Sequence, residues 1–203
     1  MNVVPLPPEV VRDDVRRALE EDVGSGDCTA HLVPREQELH TRVISRESAV
    51  LSGTDWFDET FRQLDPGVTV DWHAADGDRI EPGLVVCEVR GAARSVLTGE
   101  RTALNFLQAL SGTATATRRY VDAIAGTGAT VLDTRKTLPG LRRAQKYAVR
   151  CGGGSNHRIG LFDAILVKEN HIEAAGSIRA AVDKAQQRYP GLLLEVEVED
   201  LDQ

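Results

Sequence analysis

Apolar and polar residues follow helical and strand periods in turn along the first half of the chain. From Val11 to Leu19 the apolar positions recur at helical spacing, which predicts an amphipathic helix over residues 8–21. Gly24 marks the stop that follows it. Shorter patterns predict a second helix over 54–64 and strands over 39–44, 49–52, 68–72 and 84–89. We therefore predict an N-terminal α/β domain over residues 1–110.

The pattern changes in the second half. Residues 98–125 predict a long helix, or two helices with a break at Ser111-Gly112. Apolar runs at 129–131, 164–167 and 192–199 then alternate with helical patterns over 138–150, where Pro139 suits the first turn, and over 178–188. This alternation is typical of βα units in a parallel sheet or barrel. We predict such a domain over residues 111–203, with three strands before Gln203.

Basic residues are concentrated between Leu132 and His171. This stretch holds eight Lys and Arg against three Asp and Glu, whereas the whole chain of 203 residues carries a net charge of −7. A basic stretch in an acidic protein attracts small anions without making the whole molecule bind polyanions. An aromatic content of 4% and the lack of a known nucleic-acid-recognition motif argue against nucleic acid as a partner.

Neither the termini nor the cysteines suggest export. No apolar run approaches the roughly 20 residues that a bilayer span needs, and the first residues lack a secretory pattern, so we expect a cytoplasmic protein without a membrane partner. Cys28, Cys87 and Cys151 are too far apart to indicate a disulfide framework or a metal site. We expect Cys87 to be a small buried apolar residue and Cys151 not to act as a nucleophile.

Several cations follow the ends of predicted strands. Arg135 and Lys136 come just after 129–131, and Lys168 comes directly after 164–167. Because residues past the carboxyl ends of parallel strands converge on ligand sites, we expect these side chains to bind an anion. The loop 151–155 is rich in glycine, which suits close wrapping around a ligand, and it leads to His157 and Arg158. The basic residues of the predicted helix have an alternative interpretation, in which they form a solvated face rather than part of an anion site. They are Arg142, Arg143, Lys146 and Arg150.

These motifs together resemble the signature of the quinolinate phosphoribosyltransferase family, the carboxylating nicotinate-nucleotide pyrophosphorylases. The elements D-T-R-K-T, P-G-L-R, K-Y-A-V, G-G-G-x-N-H-R-x-G-L and K-x-N-H follow one another between residues 133 and 171. Weaker similarity covers residues 21–27 and 111–115. The resemblance implies an α/β fold with an N-terminal α/β sandwich followed by an incomplete, truncated α/β barrel.

The resemblance also implies a reaction and a set of residues. The family transfers ribose 5-phosphate from phosphoribosyl pyrophosphate to quinolinate and releases carbon dioxide, with Mg²⁺ as cofactor. By motif, Lys136, Lys168 and Glu197 are the expected catalytic residues, with Glu197 near the metal. Arg101 is expected to reach the site of the neighbouring subunit in a homodimer, although an exposed arginine without a role is the alternative. The expected substrate-binding residues are Arg101, Arg135, Lys136, His157, Arg158 and Lys168.

Some alternatives stay open at this point. Glu195, Glu197 and Glu199 alternate along the last predicted strand, and the sequence does not decide whether Glu195 or Glu197 faces the metal. His157 could bind a substrate carboxylate or cap its loop. The family's phosphate loops would follow Gln203, so we expect residues 1–203 alone to bind quinolinate but to turn it over poorly. A catalytically incomplete remnant that binds an aromatic dicarboxylate, and a related enzyme with another acceptor, are the alternative functions.

Overall fold

The computed structural model describes residues 3–203, which divide into two compact units, one that ends at Asn156 and one over residues 157–203. The described part of the N-terminal unit contains five strands, with the bounds β1 Glu38–Ile44, β2 Ala49–Val50, β3 Thr69–Trp72, β4 Arg79–Ile80 and β5 Val85–Ala92. The strands β1, β5 and β3 form an antiparallel sheet in that order, and β2 pairs with β4. The predicted strands are confirmed, but the two-residue β4 is too short for any period to reveal it.

Four α-helices pack around these strands, with the bounds α1 Pro8–Asp22, α2 Thr54–Leu64, α3 Ala93–Ala123 and α4 Arg142–Cys151. One apolar cluster joins the sheet to α2 and α3, with Phe57, Phe61, Cys87, Val89 and Leu107 among its buried members. A second cluster joins all four helices: its members include Val15, Trp56, Leu110, Ala148 and Cys151. The predictions of α1 and α2 are confirmed, as is the burial of Cys87.

The helix α3 is continuous, so the alternative of a break at Ser111-Gly112 is wrong. Ser111 accepts a hydrogen bond from Ser52 N–H (3.0 Å) and donates one to Ser52 C=O (3.2 Å). Thr115 Oγ1 accepts from Val50 N–H at 2.9 Å. These hydroxyls bind the backbone beside β2 without interrupting the helix, and this long-range role outweighs the local cost of Gly112.

Two further expectations for the basic stretch are wrong. The helix α4 begins at Arg142 rather than at Leu138, because Gly140 has a φ of +83° and cannot continue a right-handed helix. Pro139 therefore lies in a turn before the helix. Residues 129–131 do not form a regular strand: Leu132 makes one isolated parallel bridge to Ser155.

The C-terminal unit contains the elements β6 Ile165–Val167, α5 Glu169–Ala175, α6 Ile178–Arg188 and β7 Leu194–Val196. The strands β6 and β7 are parallel neighbours, so the predicted βα character is confirmed, but β7 is shorter than the alternation suggested. The helix α6 has its predicted bounds, whereas α5 was not predicted. Within residues 3–203, every helix is too short or too polar to serve as a bilayer crossing.

Candidate active site

The segment that carries Arg135 and Lys136 is held by few backbone hydrogen bonds. Ser155 N–H donates to Val131 C=O (2.8 Å), and Asp133 N–H donates to Ser155 C=O (3.1 Å). Beyond Asp133 the chain turns locally, with Lys136 N–H donating to Thr134 Oγ1 at 3.0 Å. Arg135 and Lys136 therefore lie on a turn next to an isolated bridge, not at the end of a regular strand.

Arg135 and Lys136 differ in their surroundings. Lys136 is exposed, whereas Arg135 is half-buried and its Nε is fully buried without a hydrogen-bond partner. An unpaired buried guanidinium N–H costs free energy, on the order of 1–3 kcal/mol, unless an acceptor reaches it. Because Arg135 is only half-buried, an anionic ligand can meet the exposed part of its side chain, whereas the buried Nε would be reached only after a local rearrangement.

A buried polar network lies beside this turn. Lys146 on α4 forms an ion pair with Asp133, and the two side chains are 3% and 8% exposed. Asn156 Nδ2 donates to Asp133 Oδ2 (2.6 Å) and to Lys146 C=O (2.8 Å). The expectation that Lys146 lies on a solvated face is wrong, because its partner Asp133 lies inside the fold. Arg143 is exposed, as that alternative proposed.

The glycine-rich loop after α4 packs against protein. A Cβ on Gly152 would lie 2.5 Å from Ala114 O and 2.6 Å from Thr117 Cβ, both on α3. A Cβ on Gly154 would lie 2.8 Å from Val149 Cγ1. Our interpretation of these glycines as a loop that wraps a ligand is therefore replaced by a packing role, in which they allow close approach to α3 and α4.

Arg101 is exposed on α3, between two threonines that bind carboxylates. Thr98 Oγ1 donates to Asp27 Oδ2 (2.8 Å), and Thr102 Oγ1 donates to Asp22 Oδ2 (3.0 Å). The hydrogen bond from Thr98 is the main reason that the pKa of Asp27 lies below its usual 3.8. These contacts fix the helical turn that presents Arg101.

In the C-terminal unit, His157 and Arg158 are half-buried. His157 Nε2 lies 2.7 Å from Glu195 Oε2, so the glutamate already uses this ring nitrogen. Arg158 donates through a guanidinium nitrogen to Ala164 C=O at 3.4 Å and lines an open groove of about 470 Å³. Apolar residues form most of the groove wall, including Leu166, Ala181 and Tyr189.

Lys168 and Glu197 follow the two parallel strands. Lys168 Nζ lies 2.8 Å from Glu197 Oε2, and Glu197 N–H donates to Val167 C=O at 2.8 Å. Lys168 is also the N-cap of α5, and its N–H donates to His171 Nδ1 at 3.0 Å. Glu195 and Glu197 thus each have a basic partner, His157 and Lys168 respectively, at ion-pair distance.

The surroundings of Glu197 are acidic. It borders an open groove of about 550 Å³ whose other carboxylates are Glu169, Glu173 and Glu199. Nevertheless, the described part of the chain contains no group of three or more His, Cys, Asp or Glu side chains arranged to hold a metal ion.

Sequence reasoning missed the contacts that four residues make around the predicted site: Asp133, Lys146, Asn156 and Glu195. Asp133 and Asn156 lie inside the motifs quoted above. The presence of these polar residues at the edges of apolar segments was a sequence signal that could have identified them. Cys151 is buried, and desolvation raises the pKa of its thiol to about 11. A thiol with this pKa is a poor nucleophile at neutral pH.

Comparison with known proteins covers most of the chain. Residues 27–111 match the family description "Quinolinate phosphoribosyl transferase, N-terminal domain", and residues 113–203 match its C-terminal domain. The probable nicotinate-nucleotide pyrophosphorylase (carboxylating) of Bacillus subtilis is 43% identical over 184 residues, which are 90% of this chain. The enzyme of that name from Mycobacterium leprae is 45% identical over an alignment of 201 positions, which covers 96% of this chain and 70% of the relative.

Solved structures agree with the sequence relatives. The nicotinate-nucleotide pyrophosphorylase from Francisella tularensis aligns with all of this chain and 72% of its own, with a TM-score of 0.95 and 46% identity. NadC from Streptococcus pyogenes aligns with 98% of this chain and 71% of its own, with a TM-score of 0.93 and 43% identity. The present chain spans 64% of the length of the Bacillus subtilis relative. On the strength of both family matches and these relatives, the chain belongs to the quinolinate phosphoribosyltransferase family.

Proposed function

We propose that the protein transfers ribose 5-phosphate from phosphoribosyl pyrophosphate to quinolinate and decarboxylates the product. The products are nicotinate mononucleotide, pyrophosphate and carbon dioxide. Family membership supports the reaction class. The observation that carries the proposal for this chain is Arg135, whose half-buried guanidinium has a buried Nε without a partner.

Quinolinate carries two adjacent carboxylates, which need planar donors. A guanidinium group binds a carboxylate through two parallel N–H···O hydrogen bonds, so arginine suits each carboxylate better than lysine does. We assign Arg135, Arg158 and Arg101 to these carboxylates. Lys136 adds an exposed positive charge. To donate through Nε2, His157 would have to exchange Glu195 for the substrate carboxylate.

The chemistry needs electrostatic stabilisation rather than a protein nucleophile. Displacement of pyrophosphate at the anomeric carbon develops positive charge on the sugar and negative charge on the leaving group, which Lys136 and Lys168 would stabilise. After ribosylation, the bond between C2 and its carboxylate breaks and carbon dioxide departs; the electron pair left on C2 is stabilised by the adjacent cationic nitrogen and then takes up a proton from solvent. The raised pKa of Cys151, to about 11, agrees with a mechanism that uses no thiolate.

Mg²⁺ remains part of the proposal, with Glu197 as the protein residue near it. Glu197 is exposed and borders an acidic groove, which suits a hydrated cation that takes most of its ligands from a diphosphate. When bound, Mg²⁺ neutralises charge on the pyrophosphate leaving group. Lys168 would then be released from its 2.8 Å ion pair with Glu197 and could bind the anion.

We further propose a homodimer in which Arg101 completes the neighbouring site. Arg101, Asn105 and Gln108 are all exposed and recur at helical spacing on α3, so they share a face that a second copy could cover. An isologous contact of this kind would place Arg101 of each subunit near its partner. The cytoplasm suits such an enzyme, since Cys28, Cys87 and Cys151 are free thiols.

Product analysis with the full-length protein tests the proposed reaction. Quinolinate labelled in the carboxyl group at position 2 is incubated with phosphoribosyl pyrophosphate and Mg²⁺, and labelled carbon dioxide and nicotinate mononucleotide are quantified. We expect both products in equal amounts, with dependence on all three additions. Quinolinate binding without any product would favour the incomplete remnant, whereas transfer to another acceptor without carbon dioxide release would favour a related enzyme. Either result would reject the proposed reaction.

A further inference from the structure

We propose that Asp133, Lys146 and Asn156 form a positioning clamp that fixes the turn carrying Arg135 and Lys136. The clamp consists of the buried Asp133–Lys146 ion pair and the Asn156 amide that bridges it. None of the three residues needs to touch quinolinate. The inference deepens the proposed function and rests on it, because it explains how the proposed dicarboxylate-binding arginine is held.

The turn needs a side-chain clamp because its backbone is weakly anchored. Leu132 makes an isolated bridge, and the two backbone hydrogen bonds at Val131 and Asp133 both go to Ser155. Thr137 N–H then donates to Arg135 C=O at 3.0 Å, which is a contact within the turn itself. A segment with so little ladder hydrogen bonding takes its position from side chains.

Asp133 is engaged through both carboxylate oxygens. Lys146 Nζ contacts Oδ1, and Asn156 Nδ2 donates to Oδ2 at 2.6 Å. Asn156 also donates to Lys146 C=O at 2.8 Å, which ties the amide to α4. The clamp therefore joins three places in the chain: the residue two positions before Arg135, the middle of α4, and the residue that precedes His157.

Burial separates this lysine from the cations that could meet a ligand. Lys146 is 3% exposed and Asp133 8% exposed, whereas Lys136 is exposed. Buried ion pairs are often no more stabilising than apolar side chains of the same volume, so stability alone is a weak reason for one here. The ion pair can also fix the geometry of the adjacent turn, which an apolar pair could not do.

The clamp is tested with the double variant Asp133→Asn/Lys146→Met in the full-length protein. Removing both charges leaves no unpaired buried ion, so the fold should persist, which thermal unfolding checks. Amide hydrogen exchange of residues 132–137 is measured without ligand, and quinolinate affinity is measured by calorimetry. We expect exchange in this segment to be about tenfold faster, with exchange in α2 unchanged, and quinolinate Kd to rise about tenfold or more.

Two further variants separate positioning from general stability. Lys146→Arg keeps the charge and should hold Kd within about threefold of wild type, since the ion pair with Asp133 can re-form. Arg16→Met/Glu20→Gln removes an exposed ion pair of 2.8 Å on α1 and should leave exchange in residues 132–137 and Kd unchanged. Near wild-type quinolinate affinity of Lys146→Arg, together with no effect of the surface variant Arg16→Met/Glu20→Gln, supports the clamp.

The two arms of the experiment have separate outcomes. Unchanged exchange in residues 132–137 of the folded double variant overturns the clamp whether or not quinolinate binds, and so does faster exchange with an unchanged Kd. Faster exchange in the double variant, combined with no quinolinate binding by the wild-type protein, supports the clamp as a structural device and rejects the proposed substrate.

Discussion

Lys168 and Glu197 form a 2.8 Å ion pair, with one residue after each of the two parallel strands in the C-terminal unit. The side chains are 40% and 51% exposed, so the pair contributes at most about 1 kcal/mol. An anionic ligand can therefore replace the glutamate at modest cost. If Lys168 binds an anion, as proposed, the ligand has to compete with Glu197 for its ammonium group.

Glu197→Gln tests this competition. Loss of the carboxylate charge should free Lys168 and tighten quinolinate or pyrophosphate binding in the absence of Mg²⁺, by up to about fivefold. Calorimetry without divalent cations measures the effect. Glu199→Gln is the matched control, because Glu199 is exposed and its side chain lies outside this ion pair. Weaker anion binding by Glu197→Gln would contradict competition at Lys168.

Gly152→Ala should destabilise the N-terminal unit. Its new Cβ would lie 2.5 Å from Ala114 O, a backbone atom that cannot move without shifting α3. We expect a loss of about 1–3 kcal/mol in the free energy of unfolding, measured by urea denaturation. Gly67→Ala is the control, since Gly67 is exposed and a Cβ there would meet only the Asp65 side chain, at 3.1 Å. Equal stability of the two variants would rule out the close packing at Gly152.

Thr98→Val should raise the pKa of Asp27 towards 3.8, because it removes the hydrogen bond that chiefly lowers it. A lowered carboxyl pKa stabilises the folded state above the unfolded pKa, and this contribution is lost as pH falls through the folded pKa. Thr98→Val should therefore lose less stability than wild type on acidification below about pH 4. NMR titration of the carboxyl carbons measures the pKa of Asp27 in the folded and unfolded states.

Asp65 provides an internal control for this titration. A hydrogen bond from Ser95 is the main reason that its pKa also lies below 3.8. Thr98→Val should leave Asp65 unchanged, and Ser95→Ala should shift Asp65 while leaving Asp27 unchanged. A common shift of both carboxyl groups would indicate a global change in the protein rather than loss of one hydrogen bond.

The regular elements were the part of the fold most open to prediction. The helices α1, α2 and α6 carry clear apolar periods, and their bounds agree with the structure to within about one residue. The helix α3 continues through Ser111, whose hydroxyl bonds to Ser52, 59 residues earlier. No local pattern contains that contact.

The candidate site shows a similar division. The motifs named the cations, and their roles in catalysis stay predictions. The partners of these side chains were hidden because they lie far away in sequence: His157 pairs with Glu195 across 38 residues, and Lys146 pairs with Asp133 across 13. In the sequence alone, a buried basic residue on an amphipathic helix looks the same as a solvent-exposed one, because its partner is not visible.

The three cysteines should differ sharply towards a thiol reagent. Cys28 is exposed, whereas desolvation raises the pKa of Cys87 to about 12 and of Cys151 to about 11. Titration of the native protein with an aromatic disulfide at pH 8 should modify Cys28 rapidly, and denaturation should expose the other two. The variant Cys28→Ser should abolish the rapid phase. Fast reaction at Cys151 in the native protein would contradict its burial.

The most direct test of the proposed site is calorimetric titration of the protein with quinolinate, compared with Arg135→Ala and with Arg143→Ala. Arg143 is exposed on the neighbouring helix and controls for the loss of one positive charge. We expect the wild type and Arg143→Ala to bind alike, and Arg135→Ala to lose about tenfold to hundredfold in affinity, as for a charge-assisted hydrogen-bonded pair. Equal affinity of Arg135→Ala and wild type would contradict the assignment of Arg135 to the dicarboxylate.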